Sequence, residues 1–242
     1  MDQISRIKKI SIWVFLLPII ILNLCLLISV NYIIFENTIF QVDQLGRSGF
    51  TVPYIDGSVS ISRTARTYPA FLIFKPGMII TAFLLVKYWI ANNSLAQKIN
   101  KTDKNYRFLL FGVGSAIFLI AHSIFLGIKF DYDLYKFFRR FVIVAFIIFE
   151  IIAQALLVIT LYKMKEKIAE IINKKILILK IILVSLLSVT ALASLPILTS
   201  SGHTHFKHAL EWNYFIGVVL FYLLTFLFWK RKKTHVHTPE GA

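Results

Sequence analysis

Three histidines and a glutamate crowd one short stretch, Ser201-Gly202-His203-Thr204-His205-Phe206-Lys207-His208-Ala209-Leu210-Glu211-Trp212. Neutral imidazoles with a carboxylate are the donors a zinc-type divalent ion takes. His208 and Glu211 stand three apart, a spacing that puts both side chains on one helical face. With His203 and His205 they make the candidate metal set, and one zinc-type ion is the cofactor the sequence suggests. Such an ion would activate water against a lipid ester or amide, which reads as a hydrolase or acyltransferase. His122, with Glu211, completes the candidate catalytic residues. The opposing reading is a polar loop in which Glu211 meets the positive end of the next helix. The sequence leaves open whether the protein is an enzyme.

Arg63, Arg66, Arg139 and Arg140 form a second group, with Ser60 and Ser62 close to the first pair. Guanidinium forks hold phosphate oxygens bidentately, so a phospholipid or phosphoglycan headgroup is their natural ligand. Interfacial anchoring is the plainer role for such arginines. A third group is intramembrane. Glu150 lies about 12 residues into its apolar segment, roughly 18 Å deep at 1.5 Å per residue. Gln154 follows one turn on, and counting from helix ends puts Asn23 at similar depth. These three read as an interhelical polar layer, or as a proton or ion relay that would make the protein a transporter. Lys180, near a helix end, is expected to snorkel to the interface.

The elements that must position these residues follow from composition. Hydrophobic residues make up 57% of the 242-residue chain and charged residues 16%. A soluble domain averages about 45–50% and about 25%. The apolar residues fall into blocks near the roughly 20 residues a membrane helix needs. Six blocks qualify, over 10–34, 70–90, 108–128, 138–162, 176–198 and 212–229. The chain is therefore expected to be an all-α integral membrane protein, a single six-transmembrane-helix domain over 1–242. The first block is too long for a signal-peptide core and reads as a retained helix. The lone Cys25 lies inside it and permits no internal disulfide.

Charge sets the expected orientation. Lys and Arg gather in the N-terminal, second, fourth and C-terminal non-membrane segments, including the Lys230–Lys233 run before His235 and His237. Those segments hold about twice as many basic residues as the other side, which places both termini in the cytoplasm. The net charge of +15 thus flanks apolar blocks instead of forming a nucleic-acid surface. The last outer loop, Asp131 and Asp133 of the second and the arginines then share the extracytoplasmic or lumenal side. The first outer loop, 36–69, carries Gly46, Gly49, Pro53 and Gly57 among β-branched residues. A small segment of β structure lying over the helix ends is expected there.

Two stretches carry a resemblance. Val52-Pro53-Tyr54-Ile55, then Ser58-Val59-Ser60-Ile61-Ser62, Tyr68-Pro69 and Ile73-Phe74 form the first. Glu211-Trp212 leading into Phe221-Tyr222-Leu223-Leu224-Thr225-Phe226 forms the second. Together they resemble the DRAM/Frag/Sfk family of six-pass proteins, which includes the DRAM autophagy modulators and PGAP-type factors of GPI-anchor lipid remodelling. The chain departs from that family at Tyr135 to Arg140, where a histidine is expected. The resemblance implies a lipid-linked role on the outer side, carried by Glu211 and the Pro53–Ser62 loop. The leading expectation is thus a protein that recognises or helps process a lipid headgroup, its partner a membrane lipid in an outer-leaflet cavity. The metal-dependent lipid enzyme and a non-catalytic regulator or scaffold are the alternatives, and protein partners are not specified by the sequence.

Overall fold

Stretches of apolar residues with no water to satisfy their backbones can only form helices that bond internally. In the computed structural model, which describes residues 3–38, 49–100, 106–128, 133–200 and 202–230, they do so. The described residues hold α1 (Gln3–Val30), a 3-10 turn (Tyr32–Phe35), α2 (Pro53–Asp56), α3 (Ile61–Arg66), α4 (Ala70–Ile99), α5 (Arg107–Phe125), α6 (Asp133–Lys163), α7 (Lys174–Thr199) and α8 (Thr204–Phe228). Six of these, α1 and α4 to α8, are long and apolar enough to cross a membrane. The protein is an all-α, six-helix integral membrane protein.

The expected spans are right in number but differ at their ends: most helices run further, while the ends expected at 34 and 128 fall beyond the last residues of α1 and α5, Val30 and Phe125. α1 begins at Gln3 instead of residue 10, and α8 begins at Thr204 instead of 212. Polar residues do not stop a helix once it leaves hydrocarbon, so the apolar block underestimates its length. The 25-residue α8 therefore already carries His205, His208 and Glu211.

Consecutive long helices pack against one another, and α8 returns to α1, so the six close into a ring. Large apolar side chains such as Leu27, Phe83, Leu110 and Val189 face outward, where lipid would cover them. The interior is filled by aromatics, with Tyr88, Trp89, Trp212, Tyr222 and Trp229 all fully buried. At the end that holds the termini, Met164, Ile168 and Ile172 fold the α6–α7 connection back under the bundle. Asn173 N–H donates to Phe228 O at 2.9 Å and Lys230 N–H to Ile171 O at 2.9 Å, tying that connection to the end of α8. Lys8 Nζ adds a bond to Trp229 O at 2.7 Å. Of the Lys230–Lys233 run and its following histidines, residues 231 onward lie outside the described residues.

The β structure expected in 36–69 is not what the described part of that loop forms. Pro53 occupies the first turn of α2, where its missing N–H costs nothing. Gly57 ends α2 in the left-handed region at φ 58°, and Ser60 then caps α3, its Oγ accepting from Arg63 N–H at 3.2 Å. These punctuation residues outweigh the β-branched ones around them.

Close helix contact is set by small residues. A side chain at Gly112 of α5 would run into the Trp89 indole of α4. Gly112→Leu should cost roughly 1–3 kcal/mol through overpacking, seen as a lower melting temperature of the detergent-purified protein.

Candidate functional site

One face of α8 meets the loop over 54–62. The rings of His205 and His208 point at the turn after α2, with Nδ1 3.2 Å from Asp56 O and 3.0 Å from Gly57 O. One turn on, Trp212 Nε1 donates to Val59 O at 2.9 Å. The Glu211 carboxylate accepts from the backbone N–H groups of Ile61 and Ser62, the first turn of α3. Asn213 donates to Tyr54 O at 2.7 Å, and Tyr54 packs on Trp212 with ring centroids 4.9 Å apart. A side chain at Gly57 would run into the His205 backbone carbonyl, so only glycine lets loop and helix approach this closely. On the other flank, Ser29 Oγ of α1 donates to Thr64 O at 3.0 Å.

The four expected metal ligands are thus spread along a strap. His203 lies at the start of α8 at φ 55°, exposed, and the other three are engaged with loop backbone. Among the described residues no three His, Cys, Asp or Glu side chains gather into a metal-holding group. Ser60 and Ser62 sit at the α3 cap, 3.4 Å apart through their Oγ atoms. Of the two aspartates, Asp131 lies outside the described residues and Asp133 opens α6.

The strap positions α3, and α3 positions two of the arginines. Arg66 stands where α3 meets the α5–α6 turn; a Cβ on Gly127 of that turn would be 3.6 Å from the Arg66 carbonyl oxygen. α6 starts just beyond, held by Tyr135, whose hydroxyl donates to Phe125 O at 3.0 Å. The Arg139 guanidinium lies 6.0 Å from the Tyr135 ring centre. Burial, and then the nearby charges of Arg139 and Arg63, lower Arg66 from its ordinary basicity. The three guanidiniums therefore lie within one another's positive field. His122 is half-buried below, within the field of Arg139 and 6.5 Å from the Phe74 ring. Arg140 is exposed on a different side of α6 and does not join the group. No family model, curated protein or solved structure matches the chain.

The third expected group divides. Glu150 and Gln154 are fully buried in the ring, whereas Asn23 bonds the Tyr54 hydroxyl at 3.1 Å, up at the loop. Glu150 Oε2 is 2.6 Å from Ser115 Oγ, and Oε1 accepts from Gln154 Nε2 at 3.0 Å and from the Tyr222 hydroxyl. Gln154 Nε2 also reaches Val218 O at 3.2 Å. Lys180 does not snorkel. It is fully buried, its Nζ donating to Thr225 Oγ1 at 2.7 Å and lying 3.9 Å from the Phe221 ring centre. Sequence reasoning missed Ser115, Tyr88, Tyr222 and Thr225, whose only signal was hydroxyl groups inside apolar segments.

The turn at Asp56 supplies a pH test of the strap. Burial slightly opposes its charge, but bonds from Ser58, Val52 and Thr51 outweigh that and hold its carboxyl below the ordinary carboxylate range. A lowered folded value adds stability above the unfolded carboxyl range, and that stability is lost as pH falls through the folded value. Protease protection of residues 49–66 should therefore weaken on strong acidification in the wild type. Asp56→Asn should show the weaker protection already at neutral pH.

Proposed function

We propose that this protein recognises an anionic lipid headgroup at the extracytoplasmic or lumenal leaflet, using Arg63, Arg66 and Arg139. The convergence of these three guanidiniums, each within the others' field, is the observation that carries the reading. A like-charged group at a rim is costly alone and favourable around phosphate oxygens. The ligand is a lipid and not a free anion because the surrounding turns of α6 expose Leu134, Phe137 and Phe141. Those side chains offer acyl chains an apolar surface beside the charged one.

The resemblance to the DRAM/Frag/Sfk family fits this reading. Its two motifs, Pro53–Ser62 and Glu211-Trp212, are far apart in sequence and joined here through Val59, Ile61 and Ser62. Glu211 then holds the loop that carries Arg63 and Arg66, and it contacts the lipid only through them. The excess of Lys and Arg at the termini end supports an orientation with both termini cytoplasmic.

The test is phospholipid retained through purification in mild detergent, counted by mass spectrometry. A charge-assisted bond contributes about 1.5–3 kcal/mol, or about ten- to a hundredfold in affinity per arginine. Arg66→Ala with Arg139→Ala should strip anionic phospholipid from the protein, while Arg140→Ala should retain it. Equal retention in all three samples would refute the site.

A further inference from the structure

Two side chains of opposite charge type lie at the centre of the ring with no role in the lipid site. Glu150 is 1% exposed and Lys180 is not exposed at all. An isolated ion is expensive in such surroundings. They are not bonded to each other. Hydroxyls lie between them in two groups, Thr225 and Tyr88 on the Lys180 side, 3.0 Å apart, and Tyr222 on the Glu150 side. The Tyr88 and Tyr222 rings meet edge to face, 4.9 Å between centroids.

Counting hydrogens shows that each group is housed for two protonation states. Ser115 has one hydroxyl hydrogen and two acceptors in reach, Gly112 O at 2.8 Å and Glu150 Oε2 at 2.6 Å. With Glu150 ionised, Ser115 donates to the carboxylate. With Glu150 protonated on Oε2, the carboxyl donates to Ser115, which turns its hydrogen to Gly112 O. Thr225 donates to Phe221 O at 3.0 Å, so it accepts from Lys180 and Tyr88. Lys180 therefore makes one hydrogen bond as either ammonium or amine. In the charged form its remaining N–H groups lie near Phe221 and, at 5.6 Å, Phe228.

We propose that Glu150 and Lys180 form one buried proton-exchange unit that holds a single proton between them. In one state Lys180 is an ammonium and Glu150 a carboxylate. Exchange breaks an N–H bond at Nζ and makes an O–H bond at Oε2, with water as the carrier that takes the proton from one and gives it to the other, leaving an amine and a carboxylic acid. Both states are neutral as a pair, which is what the interior tolerates; a second proton, or none, would leave net buried charge. The ionisable groups facing the unit are Tyr88 from α4 and Tyr222 from α8, while α5 contributes Ser115. A small cavity lies on the termini side of Tyr88. Asn92, beside Tyr88, lines this cavity of about 10 Å³ with Trp229, whose indole N–H has no partner among the described residues. That is room for about one water.

Infrared spectroscopy of the full-length protein in lipid nanodiscs tests this, reading the C=O stretch of a protonated carboxyl and assigning it by its loss in Glu150→Gln. Lys180→Met removes the partner, so the Glu150 band should be stronger than in wild type and should persist into mildly alkaline buffer. Thr225→Val, which keeps both groups and removes the ammonium's hydrogen bond, should also strengthen the band and guards against misfolding of the first variant. A Glu150 band of equal strength in wild type and both variants, or absent from all three, overturns the proposal.

Discussion

Hydrocarbon offers no hydrogen bonds, and most of this structure follows from that single fact. Backbone groups must be paired within each segment, so the apolar blocks become helices and nothing else. Side-chain polarity is constrained in the same way. It appears inside the ring, where partners can be built in, or at the two ends, where headgroups and water take over. Leu27, Phe83 and Val189 are exposed without penalty because their surroundings are lipid.

Closing the ring creates an interior that apolar side chains do not fill completely. Tyr88 and Tyr222 lie fully buried there, and their hydroxyls require companions. Tyr222 finds Glu150, and Tyr88 finds Thr225 and through it Lys180. At the other extreme, the loop over 53–66 is held from two sides, by α8 through His205, His208, Glu211 and Trp212 and by Ser29 of α1. Such bracing restrains Arg63 and Arg66 before any ligand arrives, and less ordering on binding means tighter binding for the same contacts. The two polar regions are separate, which lets the proposed lipid recognition and the proposed proton exchange be examined independently.

The six spans were readable because length and hydropathy are properties of one segment at a time. Their ends were not, since helical bonding continues past the last apolar residue, as it does from Trp212 back to Thr204 in α8. In the loop, β-branched Val52, Ile55 and Val59 suggested a strand, but Pro53, Gly57 and Ser60 decided the backbone. The spacing of His208 and Glu211 was read as one helical face, and both residues meet the 53–66 loop. What that face meets, the carbonyls of Asp56 and Gly57, depends on a loop 149 residues away in sequence. Lys180 misled for a similar reason. Its distance from the helix end permits snorkelling, and only the positions of Thr225 and Phe221 on α8 reveal that it turns inward.

The most direct check on lipid recognition is a density map of the protein in nanodiscs made from its own membrane lipids. The account predicts a headgroup phosphate bounded by Arg63, Arg66 and Arg139, with acyl density running along Leu134, Phe137 and Phe141. Lipid density that leaves those three guanidiniums empty, or that finds them paired with carboxylates of the chain, would contradict it.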